Sequence, residues 1–272
     1  MTELLADWAA WQRAAGLSER TIRERCNSVR TMGDMSTNFL DKISTRDVIT
    51  YLGRRGISQA SKATYQGHLR AYFKWCIDAG IRDDNPMDKI LKVRRPKSAP
   101  RPTTGGQLTA LLVACNRRRT RAMVLLAALA GLRVHEIAKI RGEDVDLGAL
   151  TLTVRGKGGK QAVIPLHADL VELAAKFPAG GWWFPNHEGT GPVTPKAVGV
   201  AIARAMGRAG YDGTAHQLRH WYGTTLVHAG VDLRTVQELM RHESIQTTQI
   251  YTLVTSEQRT AAIGMLRLPE AA

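Results

Sequence analysis

A proline-rich, basic segment constrains this chain more than any other feature of its sequence. Residues 91–104 contain three prolines and five basic side chains, with few apolar ones. Because proline removes a backbone donor and restricts the residue before it, such a segment is extended and continues neither a helix nor a central strand. Apolar periodicity is present on both sides of it. We therefore expect two domains, 1–92 and 105–255, joined by a linker at 93–104 and followed by a helical tail at 256–272.

The first domain has helical periodicity throughout. Apolar residues recur three or four positions apart in four stretches: 4–14, 19–32, 46–54 and 59–79. Residues suited to the N-cap precede the last three stretches: Ser18, Ser44 or Thr45, and Ser58. Gly80 has the position of a C-terminal glycine after the fourth helix, and Asn85-Pro86 predicts a short fifth helix. We expect this domain to be all helical.

The second domain has mixed periodicity. Residues 121–132 are apolar nearly all round and predict a buried helix, preceded by another at 107–115. Residues 150–154 and 161–166 alternate or run apolar on either side of a glycine-rich turn, which predicts a hairpin. Helices resume at five places: 195–209, 216–229, 232–241, 244–251 and 256–267. The expected fold class is mainly α with a small antiparallel β-sheet.

The charge of the chain favours a polyanionic partner. Lys and Arg number 38 against 24 Asp and Glu, a formal net charge of +14. Nucleic acid and an anionic membrane surface both fit this excess. The longest apolar stretch, Met123 to Leu132, is too short to span a bilayer, and the N-terminus lacks a signal segment. The three cysteines are scattered, so we expect a cytoplasmic protein without disulfides and without a membrane association.

Several charged side chains stand where a buried or ligand-bound position is expected. Arg133 directly follows the apolar helix, so its guanidinium needs an anion, either the Glu136 carboxylate or a bound phosphate. His216 and Arg219 lie on one helical face, three residues apart. His216 and His220 have the spacing of two zinc ligands, but H-Q-L-R-H lacks the glutamate of the metalloprotease motif, and we expect no metal.

In order and spacing, five segments resemble the tyrosine recombinase (phage integrase) family, including the Xer recombinases. The segments are AGLRVHEI at 130–137, RGKGGK at 155–160, HQLRH at 216–220, MRHESIQTTQIY at 240–251 and the helical tail after it. The resemblance is strong over residues 120–255 and weak over 1–90. Two residues depart from the family pattern. Ala130 replaces a frequent threonine, and Arg241 stands where glycine commonly precedes the last histidine, which leaves the local turn geometry open.

The resemblance implies a site-specific DNA recombinase that cuts and rejoins DNA through a covalent 3′-phosphotyrosine, without a metal or other cofactor. The implied catalytic residues are Arg133, Lys157, His216, Arg219, His242 and Tyr251. Tyr251 would be the nucleophile and Lys157 the general acid, with Lys160 as the alternative acid. Glu136 would support Arg133. The two arginines would stabilise the negative charge of the transition state.

The resemblance also implies the partners. The first domain would be a helical, SAM-like domain that binds core-type sites in double-stranded DNA, and the second a mixed α/β catalytic domain. The basic residues expected to contact DNA are Lys62, Arg70, Lys74, Arg94, Arg95 and Arg241. The tail at 256–272 is expected to contact a neighbouring subunit in a tetramer on DNA, with packing inside its own subunit as the alternative. Because the helical pattern begins by Leu4, we expect no arm-binding domain.

Other functions fit parts of the same pattern. A type IB topoisomerase shares the chemistry, a DNA-binding protein without catalysis explains the charge, and a zinc hydrolase would use the paired histidines. Within the recombinase interpretation, integration of a phage or other mobile element, with an accessory directionality factor as a further partner, is favoured slightly over chromosome dimer resolution.

Overall fold

The computed structural model describes residues 2–94, 102–156 and 159–241. These residues form a mainly helical structure with one small antiparallel sheet, so the predicted fold class is confirmed. Packing divides the chain into two compact units, Met1–Ser98 and Ala99–Ala272, and the division falls within the segment predicted as a linker. No helix in the described ranges is long and apolar enough to cross a membrane.

Within residues 2–94, the first unit contains four α-helices. They are α1 (Thr2–Ala14), α2 (Glu19–Asp34), α3 (Thr45–Gly53) and α4 (Gln59–Asp78). Ser18, Ser44 and Ser58 cap α2, α3 and α4, each accepting a hydrogen bond from the backbone amide three residues on. Ser44, not Thr45, is therefore the cap of α3. Gly80 follows α4 with a φ of 68°, as predicted.

The core of the first unit is built around one face of α4. Leu69, Tyr72, Phe73 and Cys76 of that helix are fully buried, as their spacing predicts. The Trp8 ring of α1 packs edge-on against Tyr72, with ring centroids 5.1 Å apart. These aromatic side chains each bury a large apolar area and so stabilise the packing of the helices.

The prediction of a short helix starting at Asn85-Pro86 is wrong. Residues 86–89 form a turn, with the Asp88 amide donating to the Asn85 carbonyl at 3.1 Å. The Asn85 side chain also accepts from the Met87 amide at 3.0 Å. Met87 is fully buried, and the chain then runs back along α4 instead of continuing as a helix. A one-residue anchor and a side-chain cap thus replace the helix that the Asn-Pro pair suggested.

The second unit contains seven α-helices within the described residues. They are α5 (Gly105–Ala114), α6 (Arg118–Leu129), α7 (Val134–Ile137), α8 (Ala168–Ala174), α9 (Pro195–Arg208), α10 (Ala215–His228) and α11 (Leu233–Met240). The sequence predicted five of these but neither α7 nor α8, which are too short for a clear helical period. The helices predicted at 244–251 and 256–267 lie outside the described residues.

Helix α6 is the centre of the second core. Its residues from Ala122 to Ala128 are all buried, which confirms the prediction from its apolar circumference. The helix ends at Leu129, three residues before the predicted end, because Gly131 adopts a φ of 58° and turns the chain. The Leu132 amide closes this end by donating to the Leu126 carbonyl at 3.2 Å.

The sheet has three antiparallel strands in the order β1 (Val145–Asp146), β2 (Thr151–Arg155) and β3 (Gln161–Pro165). In β2 and β3, Leu152 pairs with Ile164, and both are buried. The predicted hairpin is present with bounds shifted by one residue. Strand β1 has two residues and was not predicted. Residues 157 and 158 of the hairpin turn lie outside the described residues.

Candidate active site

The turn after α6 fixes the first element of the site. A Cβ at Gly131 would lie 2.6 Å from Cδ1 of Tyr222, so only glycine fits both the left-handed backbone and the ring packed against it. Arg133 follows two residues later and is the N-cap of α7. Its side chain is 35% exposed, so the guanidinium stands at the surface of a buried support, as its position after the apolar helix predicted.

Glu136 is the centre of the site. Its side chain is 1% exposed, and its carboxylate accepts from the Arg133 amide at 2.8 Å and from Arg133 Nη1 at 3.0 Å. Arg241 Nη2 approaches the same carboxylate at 3.1 Å, and Arg219 Nη1 at 4.0 Å. Burial alone would raise the pKa of Glu136, but the Arg241 guanidinium, followed by the amide and side chain of Arg133, outweighs it. The pKa is therefore lowered, and the carboxylate is ionised.

Arg219 lies on α10 and is almost entirely buried, with 1% of the residue exposed. Its Nη1 donates to the Gly131 carbonyl and its Nη2 to the Met240 carbonyl. These bonds connect the end of α6, the middle of α10 and the end of α11. The structure thus brings Arg133, Glu136 and Arg219 together, three residues that the sequence assigned to one site.

Two histidine rings flank Arg219 on α10. The centroids of His216 and His220 are 4.1 Å apart, in an edge-to-face arrangement. Part of His216 is exposed, yet desolvation by the surrounding protein lowers its pKa, and repulsion from Arg219 and Arg133 adds to this. Burial, followed by His216 and Arg219, lowers the pKa of His220 to about 4. Both pKa shifts favour the neutral imidazole, so His216 is able to accept a proton from a phenol or to donate a hydrogen bond to a phosphate oxygen.

The side chain of Arg241 makes a different contact from the one expected. We predicted a phosphate contact, but its side chain is 11% exposed and pairs with Glu136. Its Nη2 also donates to the Gly131 carbonyl at 3.1 Å. The backbone of Arg241 is left-handed, with φ 54° and ψ 48°, and ends α11 as a glycine would. An arginine therefore keeps the turn that the family forms with glycine, and its guanidinium turns inward.

Three predicted catalytic residues, Lys157, His242 and Tyr251, lie outside the described residues. Lys160, the alternative general acid, is exposed just before β3. His242 directly follows Arg241 in the sequence, and Arg241 pairs with Glu136, the carboxylate that Arg133 and Arg219 also approach. The described part of the chain also contains no group of three or more His, Cys, Asp or Glu side chains suited to a metal ion.

Three of the predicted DNA-contact residues of the first unit, Lys62, Arg70 and Arg94, lie along one side of α4. Lys62 and Arg94 line a groove of about 630 Å³, and Arg70 and Arg94 line another of about 760 Å³. Lys92, which the sequence analysis did not single out, lines both grooves. Lys74 instead pairs with Asp78 at 3.1 Å. Arg95 lies outside the described residues.

Gln66 holds residues 91–93 against α4, a role that was not predicted from the sequence. Its Nε2 donates to the Leu91 carbonyl at 2.8 Å, and its Oε1 accepts from the Val93 amide at 2.9 Å. The buried amide therefore pairs with alternate backbone groups of residues 91–93, as a neighbouring strand would. Gln66 lies between Lys62 and Arg70 on the same face of α4, so its spacing alone did not distinguish it from the solvated residues of that face.

Comparisons with known proteins show what the chain is similar to. Residues 102–258 match the model of the phage integrase family. Tyrosine recombinase XerA of Pyrococcus horikoshii is 30% identical, over 99% of this chain and 95% of the relative. The integrase of mycobacterium phage Brujita is 44% identical, with a TM-score of 0.53 over 98% of this chain and 94% of that one. A lambda integrase tetramer bound to a Holliday junction is 20% identical, with a TM-score of 0.74 over 89% and 77% of the two chains.

Proposed function

The chain belongs to the phage integrase family of tyrosine recombinases, enzymes that cut and rejoin DNA at specific sites, and from this premise we propose that Tyr251 is its nucleophile. The proposed catalytic set is completed by Arg133, Arg219, His216, His242 and Lys157. One observation carries the proposal. Arg133 and Arg219 are 86 positions apart in sequence (219 − 133), yet both approach one buried carboxylate beside the residue that precedes His242.

In the proposed reaction, the Tyr251 hydroxyl attacks the phosphorus of one phosphodiester. A bond forms between the phenolic oxygen and phosphorus, the bond to the 5′-oxygen breaks, and the strand's 3′-phosphate is left on the tyrosine. His216 or His242 takes up the phenolic proton, and Lys157, with Lys160 as the alternative, gives a proton to the leaving 5′-oxygen. The 5′-hydroxyl of another strand then attacks the phosphotyrosine in the reverse sense, so the bond energy is conserved.

The proposed arginines act on the charge that develops at phosphorus. Arg133 and Arg219 would donate to the non-bridging oxygens, where each donor of this kind contributes about 3–4 kcal/mol to the transition state. Glu136 neutralises only part of the cluster. Three guanidinium groups surround one carboxylate, so these four side chains together keep a net positive charge that suits a phosphate.

The test of the proposed nucleophile is Tyr251→Phe on a nicked substrate that traps the covalent adduct. We expect the variant to bind DNA as the wild type does and to form no adduct, because phenylalanine has no oxygen to attack phosphorus. Tyr211→Phe is the matched control, since Tyr211 donates its hydroxyl to the Gln107 carbonyl at 3.3 Å. A Tyr251→Phe protein that still became attached to DNA would exclude Tyr251.

We also propose that the first unit binds the DNA flanking the cut. The grooves lined by Lys62, Arg70, Lys92 and Arg94 support this, since guanidinium and ammonium groups along a groove match a phosphate backbone. By analogy with the lambda integrase tetramer on a Holliday junction, four copies would assemble on DNA in the cytoplasm. Residues 256–272 would provide the contact between neighbours, which deletion of this tail would test by its loss of cooperative assembly.

Integration of a phage or other mobile element is the role proposed for this recombinase, and an accessory directionality factor would belong to that role. The 44% identity to the Brujita integrase, over nearly the whole chain, supports it. Resolution of chromosome dimers is the second candidate, supported by the 30% identity to XerA. Mapping the bound sites in a genome separates them, since a single attachment site at an element's border indicates integration.

A further inference from the structure

Arg241 occupies an unusual place for an arginine. It is one of two non-glycine residues with positive φ in the described ranges, the other being Leu150. A left-handed conformation is unfavourable for a residue with a side chain and persists where surrounding contacts determine it. The contacts of Arg241 are therefore the place to look for what this residue does.

The side chain of Arg241 contacts the centre of the site. Nη2 lies 3.1 Å from Glu136 Oε2, the same oxygen that accepts from the Arg133 amide at 2.8 Å. The same nitrogen lies 3.1 Å from the Gly131 carbonyl, which also accepts from Arg219. Arg241 thus shares one acceptor with Arg133 and another with Arg219.

The backbone at the end of α11 contacts both arginines a second time. Arg219 Nη2 donates to the Met240 carbonyl, and Arg133 Nη2 lies 3.4 Å from the Arg241 carbonyl. These carbonyls are at the negative end of the helix, where a cation is favoured. The left-handed turn at Arg241 sets the direction of its own carbonyl. The backbone of this turn thus accepts from Arg133 and Arg219, and the Arg241 side chain shares an acceptor with each of them.

We propose that Arg241 is a positioning residue that fixes Arg133 through the Glu136 carboxylate. This rests on the proposed function, in which Arg133, Arg219 and His242 act on the same phosphate. The side chain holds the Glu136 carboxylate, the carboxylate orients Arg133, and the carbonyls of Met240 and Arg241 in the turn accept from Arg219 and Arg133. Arg241 itself does not contact DNA.

The first test separates positioning from a direct phosphate contact. In Arg241→Gly the left-handed turn is kept and the guanidinium is lost, and in Arg241→Met the side-chain length is kept without the charge. We expect both variants to form the covalent adduct about 10–100-fold more slowly, by analogy with the loss on removing a group that orients a metal ligand. Arg241→Lys, which keeps a charge near Glu136, should recover part of the rate.

DNA binding is the second readout of these variants. A positioning residue leaves the affinity and its salt dependence as in the wild type, whereas a lost phosphate contact reduces the salt slope by about 1. Arg234→Met is the matched control, because Arg234 is an exposed α11 arginine paired with Glu238 at 2.8 Å. Unchanged adduct rates in Arg241→Gly and Arg241→Met, or a reduced salt slope, would overturn the proposal.

A double-mutant cycle tests the route through Glu136. In a Glu136→Gln background, Arg241→Met should have little further effect on the rate, since the carboxylate that it holds is gone. Equal effects of Arg241→Met in both backgrounds would contradict the route. If Glu136→Gln does not fold, the Arg241→Lys and Arg241→Met comparison decides.

Failure of the proposal is distinguishable from failure of the proposed function. If Tyr251→Phe still forms an adduct, the proposed nucleophile is wrong whatever Arg241 does. If Tyr251→Phe forms none and the Arg241 variants react at the wild-type rate, only the positioning role is wrong.

Discussion

Glu136 is the residue on which the charge balance of the site depends. A single buried carboxylate lies among three guanidiniums, and its removal would leave those cations close together with less compensation. Breaking a buried pair by removing one partner costs about 3–5 kcal/mol, because the remaining charge stays desolvated. A phosphate would supply the negative charge that the cluster lacks. The arrangement therefore couples stability and phosphate binding at the same atoms.

The paired histidines predict a dependence of stability on pH. The pKa of His220 is lowered to about 4, first by burial and then by His216 and Arg219. An unfolded histidine titrates near pH ~6.5, so as the pH falls below that value the unfolded chain binds a proton that the folded chain does not. Stability is thus fully present above about pH 6.5 and is lost as the pH falls toward 4. We expect a loss of about 1–3 kcal/mol in the free energy of unfolding from this histidine.

Urea unfolding at neutral and acidic pH measures this loss. His220→Gln should show a smaller fall than the wild type, and His228→Gln, which removes an exposed histidine of the same helix, should follow the wild type. A pH dependence of His220→Gln equal to that of the wild type would show that His220 does not titrate in this way.

At the scale of elements, the turn after α6 determines where the arginines meet. Gly131 supplies the left-handed turn, leaves space for the Tyr222 ring and presents a carbonyl to Arg219 and Arg241. Helices α6, α10 and α11 converge there. The motif G-L-R therefore has a structural role as well as being a family signature. Gly131 makes the turn and accepts from Arg219, and Arg133 pairs with Glu136.

Gly131→Ala should destabilise the second unit strongly. The new methyl group would lie 2.6 Å from the Tyr222 ring, and the φ of 58° is unfavourable for alanine. We expect a loss of about 2–5 kcal/mol in the free energy of unfolding, from strain and overpacking together. Gly210→Ala is the control, because Gly210 has a φ of 85° with no atom within 4 Å of the added Cβ. Its cost should be only the conformational one of about 1–2 kcal/mol, and equal losses in the two variants would contradict the ring contact.

Elements long enough to show several turns of a regular apolar pattern were predictable from the sequence. Elements that depend on a single contact were not. The burial of α6 follows from its apolar circumference, and the serine caps follow from their chemistry. The turn at 86–89 depends on one asparagine side chain, and β1 on a two-residue pairing, neither of which leaves a periodic signal.

The site shows the same division. Family resemblance predicted that Arg133, Glu136 and Arg219 belong to one site, and the structure places them together; Arg241 departs from the family pattern, and its charge alone suggested a phosphate contact. Sequence alone does not give the inward direction of that side chain, because the direction depends on Glu136 and Gly131 being folded beside it.

At the scale of the whole molecule, the proposed DNA contact of the first unit predicts a change in salt dependence. In the double variant Arg70→Gln with Arg94→Gln, two cations of the α4 grooves are removed. Each lost phosphate contact reduces the slope of log affinity against log salt by about 0.9, so the slope should fall by about 2. Arg20→Gln is the control, since Arg20 is exposed in the same unit and pairs with Glu24 at 2.8 Å. An unchanged slope in the double variant would place the DNA elsewhere.

Each of the two units has its own proposed role. The first would bind the duplex through charge, and the second would carry out strand transfer with groups from α6 to α11 and the residues beyond. This division explains why the basic excess is spread along the chain while the phage integrase family model matches residues 102–258.

The measurement that tests the central claim most directly is the identity of the residue that carries DNA in the trapped wild-type adduct. Trypsin releases residues 242–259 as one peptide, in which Tyr251 is the single tyrosine. After nuclease trimming, mass spectrometry should find a 3′-phosphonucleotide on that tyrosine, and the released strand should end in a free 5′-hydroxyl. A nucleotide on any other peptide, or a 5′-phosphate linkage, would contradict the assignment of Tyr251.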